Sequence, residues 1–354
     1  MLKLAKKKNK KEFNYAIVAL IILIIVVGYV VYINKDRIFK SEVGIEQGIA
    51  AVVNGDVITA NELNRQYNRI DEQSKLLITK DMFLDQLITV KLLLQEAEKL
   101  DIKVDEKEVM NEINEIKEQF ESEEDFYLSL EALDSSLDEL KKQVEKQLII
   151  NELLNKTIIS KIEVTDSEVK SFYDQNKELI GNVSFENVSS RIKDILIDEK
   201  QRQVLTTYFN QLKFTVDIKT GEEIPKLKKT FKSAKDICEE GEKPIIRLFT
   251  TTNCQSCEWI KDAFDKTVKE YVDKGEITAY HWELDTGDNT LTPRVEKGIP
   301  KSELDVFKKS NPKSTVPTYV FGCRYIRIGN GYEAENDLLA ERLEFIQTIE
   351  ELLY

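Results

Sequence analysis

Apolar positions along the chain fall into distinct patterns, and each predicts a different element. From Tyr15 to Ile33 no residue is charged, and Ile, Val and Leu dominate. At 1.5 Å per residue such a helix spans about 28 Å, close to the hydrocarbon thickness of roughly 30 Å. From Phe83 to Leu100 the pattern changes. Leu84, Leu87, Ile88, Leu92 and Leu93 recur at helical spacing, which predicts an amphipathic helix. Leu137 to about Ile159 and Ser184–Lys213 read the same way, and Phe214-Thr-Val-Asp-Ile after them reads as a strand. Val52, Val53 and Val57, Ile58 flank Asn54-Gly55, a tight-turn dipeptide, so a hairpin is expected there. Thr59 with Glu62, Asp105 with Glu108 and Thr165 with Glu168 have the spacing of capping boxes. They predict helices from about Ala60, from 105 to about Phe120 and from 165 to about Leu179.

The C-terminal third alternates strand and helix patterns. Pro244–Phe249 reads as a buried strand and Glu258–Lys274 as a helix. Glu276–Asp285 is a second strand and Lys301–Lys309 a second helix. Thr315–Phe321 and Tyr325–Ile328 form a hairpin, and Glu333–Leu353 is a last amphipathic helix. The order is β-α-β-α-β-β-α. Residues 219–242 carry no sustained apolar period, are rich in Lys and Glu, and contain Gly221, Pro225 and Gly241, so a linker is expected.

Charge sharpens this division. Residues 1–40 hold nine Lys/Arg against two Asp/Glu, a balance of +7, so the remainder carries −20 within the chain's net −13. An acidic body repels phosphate backbones, which argues against a nucleic-acid partner. A single histidine, His281, argues against a His-rich metal site or a Ser-His-Asp triad. The reading calls for no cofactor and no metal. Six lysines precede the apolar run, which places residues 1–14 in the cytoplasm and everything after Ile33 outside. Residues 15–33 are then a single-pass membrane anchor and 34–48 a tether. The competing reading, a cleaved signal, expects a shorter apolar core followed by small residues. An extracytoplasmic location lets disulfides persist.

The chemistry-bearing motif is Thr250-Thr-Thr-Asn-Cys-Gln-Ser-Cys257, at the junction of a strand and a helix. The i, i+3 spacing puts both sulfurs on one side of the first turn. The helix N-terminus stabilises a thiolate, which can lower a cysteine pKa from about 8.5 to roughly 3.5–7.5. Cys254 is the expected nucleophile and Cys257 the resolving thiol. The alternatives are an inert disulfide, or half of a zinc site with Cys238, Cys323 or His281.

Two resemblances follow from these motifs. The succession Val-Asn-Gly-Asp-Val-Ile-Thr59, Asp85-Gln-Leu-Ile-Thr-Val-Lys-Leu-Leu-Leu-Gln-Glu-Ala-Glu-Lys-Leu100, Val104-Asp-Glu-Lys-Glu-Val109 and Val164-Thr-Asp-Ser-Glu-Val-Lys-Ser-Phe-Tyr173 resembles the N-terminal chaperone domain of the SurA and PrsA foldases. It covers about residues 49–218. In foldase members a parvulin isomerase domain commonly follows the Phe-Tyr helix. Here Ile180-Gly-Asn-Val-Ser184 leads directly into the next helix, so prolyl isomerase activity is not expected. The resemblance implies binding of unfolded or exported polypeptide, and a rigid spacer is the plainer alternative.

The second resemblance is to the thioredoxin fold, over about 243–354. It rests on Cys254-Gln-Ser-Cys257 at the first βα junction and Val316-Pro317 at the third strand. It implies that Pro317 is cis beside the disulfide, that the Val316 backbone meets a bound strand, and that Trp259 borders the site. It also places Cys323 near the start of the first strand, within reach of Cys238. A structural Cys238–Cys323 disulfide and two unpaired thiols both remain open. The chain departs from the thioredoxin pattern in its Gln-Ser dipeptide. It departs again at Leu248, where that family buries an acid.

The expected architecture is therefore multidomain: a transmembrane helix, a mainly α SurA-N-like domain with a small strand pair, and a C-terminal α/β thioredoxin-like domain. The expected function is a membrane-anchored thiol–disulfide oxidoreductase, as oxidase or isomerase, acting on exported proteins with an unidentified redox partner. The alternative is a chaperone or adaptor whose thioredoxin-like domain only docks partners.

Overall fold

The computed structural model describes residues 48–354 apart from 71, 134, 182 and 235–237. The expected anchor at 15–33, the basic tail at 1–14 and nearly all of the 34–48 tether lie outside the described residues. Among the described residues no helix is long and apolar enough to cross a membrane. The chain divides into two compact units. One holds residues 62–218; the other joins residues 43–61 to 219–354.

The first unit is all helical. Its elements are α1 (Ala60–Asn68), α2 (Glu72–Lys75), α3 (Lys80–Lys99), α4 (Glu106–Lys117), α5 (Glu123–Ala132), α6 (Leu137–Thr157), α7 (Asp166–Gln175), α8 (Lys177–Ile180) and α9 (Phe185–Phe214). Helices α3, α5, α6 and α7 start where side chains satisfy orphan backbone N–H groups. Thr79 accepts from Met82 N–H, and Ser122 from Asp125 N–H. Ser136 with Glu139 and Thr165 with Glu168 form reciprocal capping boxes. Asp105, expected to cap α4, makes no side-chain bond to the first turn.

Small apolar cores hold the unit. Leu93, Ala97, Ile150, Leu153, Leu205 and Phe209 join α3, α6 and α9. Val109, Ile113, Phe126, Leu130, Leu140 and Val144 join α4, α5 and α6. Val169, Tyr173 and Ile192 seat α7 on α9. The strand expected from Phe214 is corrected: α9 runs through Phe214, and β3 (Ile218–Thr220) begins four residues later.

The second unit is a mixed α/β structure. Strands β1 (Ile49–Val53) and β2 (Asp56–Thr59) pair antiparallel around Asn54-Gly55, and β3 completes a small sheet in the order β2-β1-β3. Asn54 and Gly55 both take positive φ, as a two-residue hairpin turn with the strands' twist requires. The larger sheet contains β4 (Lys232–Ser233), β5 (Glu239–Glu240), β6 (Lys243–Thr250), β7 (Thr278–Glu283), β8 (Asp288–Asn289), β9 (Thr318–Phe321) and β10 (Tyr325–Ile328). Its order is β4-β10-β9-β6-β7-β8, with β5 on the start of β6. The β6–β7 pair is parallel and the β6–β9 and β9–β10 pairs are antiparallel. Helices α10 (Gln255–Asp273), α11 (Lys301–Ser310) and α12 (Leu338–Leu353) complete it.

Its main core joins Ile246, Leu248, Phe264, Val268, Tyr319, Phe321, Phe345 and Ile349. Each such large side chain contributes roughly 1.5–3 kcal/mol by leaving water. Ile49, Val52 and Val57 belong to the same core. The hairpin assigned by sequence to the helical domain is thus a part of the sheet unit. Asp56 pairs with Lys266 at 2.8 Å, and the Gly55 carbonyl accepts from Arg342 Nη1 at 2.7 Å.

The expected linker at 219–242 is also corrected. Ile224 is buried in that core, and Leu227 and Phe231 pack against it. Phe231 contacts Tyr319, Phe321 and Phe345. A weak apolar period suffices for a segment that lies along a core at only three positions.

Candidate functional site

The buried strand β6 ends at Thr250 and delivers the chain to Cys254, the N-cap of α10. Cys254 Sγ accepts from Cys257 N–H at 3.1 Å, and the Cys254 carbonyl accepts from Glu258 N–H at 3.0 Å. The two cysteines form a disulfide with Cα atoms 5.1 Å apart. Cys254 is half-buried, whereas Cys257 is 3 % exposed.

Val316-Pro317 is a cis peptide bond, and β9 starts at the next residue. Sequence placed that strand's start at Thr315; proline has no N–H for the ladder, so pairing begins after it. A short chain of bonds ties this turn to the cysteines. The Pro317 carbonyl accepts from Gly329 N–H at 2.8 Å. The adjacent Asn330 donates its Nδ2 to the Ser256 carbonyl at 2.8 Å and to Glu333 at 2.9 Å. Ser256 Oγ donates to the other oxygen of Glu333 at 2.8 Å. Trp259 Nε1 donates to Asn336 Oδ1 at 2.9 Å, and the indole packs against the main core. Cys254, Cys257, Trp259 and Pro317 are thus gathered around one loop, 329–337, to which the sequence reading gave no role and whose last five residues it placed in the final helix, which starts at Leu338. The loop's only local signal is Gly329-Asn330-Gly331, a turn that says nothing of its long-range partners.

Beneath the site lies a second array. His281 is 1 % exposed. Its Nε2 lies 2.9 Å from Thr250 Oγ1, and its Nδ1 lies 2.6 Å from Asp265 Oδ1. Read from sequence as an ordinary strand residue, it links the end of β6 to the middle of α10. Leu248, the position where an acid was looked for, is fully buried in the apolar core.

Cys238 and Cys323 are also joined, with Cα atoms 5.2 Å apart. Cys323 occupies the left-handed second position of the β9–β10 turn, after Gly322. The Cys238 N–H donates to the Gly322 carbonyl at 2.9 Å. Nearby, Arg247 is 3 % exposed and gives two parallel bonds to Glu303, from Nε at 2.7 Å and Nη2 at 2.8 Å. A charge in the apolar run Ile-Ile-Arg-Leu-Phe was the sequence signal for a buried partner. With all four cysteines in disulfides, the zinc alternative loses its thiolates. Among the described residues no group of His, Cys, Asp and Glu is placed to hold a metal ion.

Comparison with known proteins bears on the N-terminal part. Residues 1–154 match the family model described as SurA-like N-terminal domain. The chain is 34% identical over 172 residues to a foldase protein PrsA of Caldanaerobacter subterraneus, covering 43% of this chain and 48% of that protein. It is 34% identical over 133 residues to a chaperone SurA of Alcanivorax borkumensis, covering 35% of this chain and 31% of that protein. A foldase protein PrsA of Clostridium perfringens is 28% identical over 167 residues, or 41% and 48% of the two chains. The matches thus span less than half the length of each relative.

These relatives correct the expected enzyme. They are named for foldase and chaperone work, so assignment as a thiol–disulfide oxidoreductase or isomerase does not stand. The N-terminal part of this chain is SurA-like, and the relatives it shares that likeness with are foldases and chaperones.

Proposed function

We propose that the chain is a chaperone for exported polypeptides. The similarity to the SurA-like N-terminal domain, with relatives named foldase and chaperone, is the observation that carries this reading. The surface of the helical unit supports it. Leu76 is 86 % exposed, Leu179 88 % and Phe214 92 %, and Leu77 stands beside Leu76. Large apolar side chains left in water give a non-native chain something to bury against.

We read the sheet unit as thioredoxin-like, a reading supported by its element order, its cis Val316-Pro317 bond and its CxxC turn. In this proposal it docks a partner and performs no thiol exchange. Val316, Pro317 and Trp259 are its contact residues, and the Cys254–Cys257 bond stiffens the loop they share. Residues 15–33 anchor the chain in the membrane with both units on the extracytoplasmic side.

The test is aggregation of a cysteine-free unfolded client with the full chain present. Suppression is expected, unchanged in Cys254→Ser and weakened severalfold in the triple variant Leu76→Ser, Leu77→Ser, Phe214→Ser. A wild-type chain that leaves aggregation untouched overturns the proposal.

A further inference from the structure

We infer that Cys238 is a site of S-thiolation: a small thiol opens the Cys238–Cys323 bond at the Cys238 sulfur, and the class of thiol favoured is cationic or neutral.

The surroundings of the two sulfurs differ. Arg247 Nη1 lies 4.0 Å from Cys323 Sγ. The Nε and Nη2 of the same guanidinium are engaged by Glu303, so Nη1 is the nitrogen turned to the sulfur. A guanidinium beside a sulfur stabilises its thiolate, and the sulfur with the more stable thiolate leaves faster. Cys323 also packs against the cluster of Phe249, Trp282, Phe307 and Val320, which covers it on that side. Cys238 is half-buried and is followed by the exposed Glu239, Glu240 and Glu242. The negative charge of these carboxylates, within four residues of Cys238, disfavours a thiolate there, making it the poorer leaving group. They also repel an incoming anion.

The step is an exchange with no net oxidation. The thiolate R–S⁻ attacks Cys238 Sγ and forms the R–S–S–Cys238 bond. The Cys238–Cys323 bond breaks, and its electron pair goes to Cys323 Sγ, which remains as a thiolate beside Arg247. The proton of R–SH passes to solvent.

The test uses the full chain carrying Cys254→Ser and Cys257→Ser, so that one disulfide remains. The protein, under native conditions, meets limiting cysteamine or glutathione. It is then acid-quenched, alkylated with N-ethylmaleimide and mapped by mass spectrometry. The expected result is cysteamine on Cys238 with maleimide on Cys323, exceeding the reverse pairing about tenfold. Cysteamine should outpace glutathione. Arg247→Lys should keep the bias and Arg247→Gln should lose it. If Arg247→Gln fails to fold, the map of the Arg247 protein still decides. An even split, a majority of adduct on Cys323, glutathione reacting as fast as cysteamine, or no adduct on the folded chain overturns the inference.

Discussion

Arg327 is a charged residue in the strand Tyr-Ile-Arg-Ile, 4 % exposed and surrounded by aromatic rings. Its guanidinium carbon lies 4.4 Å from the ring centre of Tyr319, 4.5 Å from Phe231 and 5.0 Å from Phe345. Nη1 donates to Glu344 at 3.0 Å and to Thr230 Oγ1 at 3.0 Å, and Nη2 pairs with Glu341. Glu344 also accepts from the Thr230 hydroxyl at 2.6 Å, which fastens the segment before β4 to α12. Arg327→Met would leave two carboxylates buried without a counter-charge. A loss of about 3–5 kcal/mol in urea unfolding is expected; a loss below about 1 kcal/mol would show that the carboxylates find other partners. Burial raises the Glu341 pKa above its usual 4.5, against the opposing pull of Arg327. A raised folded-state pKa means stability that is full below the unfolded value and is lost as pH rises through the folded value. Glu341→Gln should therefore gain relative to the wild type as pH rises above the unfolded value of 4.5, a trend that denaturation over a pH series would reveal or refute.

Helix α7 shows how an element is set by its first turn. The Thr165 hydroxyl accepts from Glu168 N–H at 3.3 Å, and Glu168 accepts from Thr165 N–H at 2.8 Å. Lys200 of α9 meets the same carboxylate at 2.6 Å. The Lys200 bond, then those from Thr165, lower the Glu168 pKa to about 2. A depressed carboxylate stabilises above its unfolded value, near 4.5, and the contribution disappears as pH falls through about 2. Loss of the α7 cap in acid, followed by amide exchange at Glu168 and Val169, is the expected signature. Thr165→Ala should cost about 0.5–2 kcal/mol at neutral pH. Unchanged protection of those amides in the variant would mean that packing of Val169 and Tyr173 holds the turn without its cap.

At the scale of the molecule, the sheet unit is assembled from two stretches separated by the whole helical unit. Glu350 of α12 accepts from Tyr271 at 2.7 Å with one oxygen and from Asn61 at 2.7 Å with the other. The N-terminal hairpin and the 219–242 segment both contribute to its core. A fragment of residues 243–354 would lack Ile49, Val52, Val57, Ile224 and Phe231, and no cooperative thermal transition is expected of it. Residues 43–61 joined by a short linker to 219–354 should recover one, with aromatic near-UV circular dichroism. A sharp transition in 243–354 alone would show that the remaining core suffices.

Much of this organisation was legible in the chain itself. Local chemistry settled the hairpin at Asn54-Gly55, the capped start of α7, and the CxxC at a strand–helix junction, because turns, caps and periodicity depend on neighbours a few residues apart. The long-range arrangements were set only by tertiary structure. Val52 and Val57 read as the opening of the helical domain, and only their place in one core with Phe264 and Phe345 assigned them to the sheet unit. Ile224 and Phe231, too sparse to register as a period, became core because β10 and α12 lie beside them. Asn330, Glu333 and His281 acquired partners from strands and helices distant in sequence. Periodicity marks which side of an element avoids water; which other element covers that side is decided when the whole chain closes on one core.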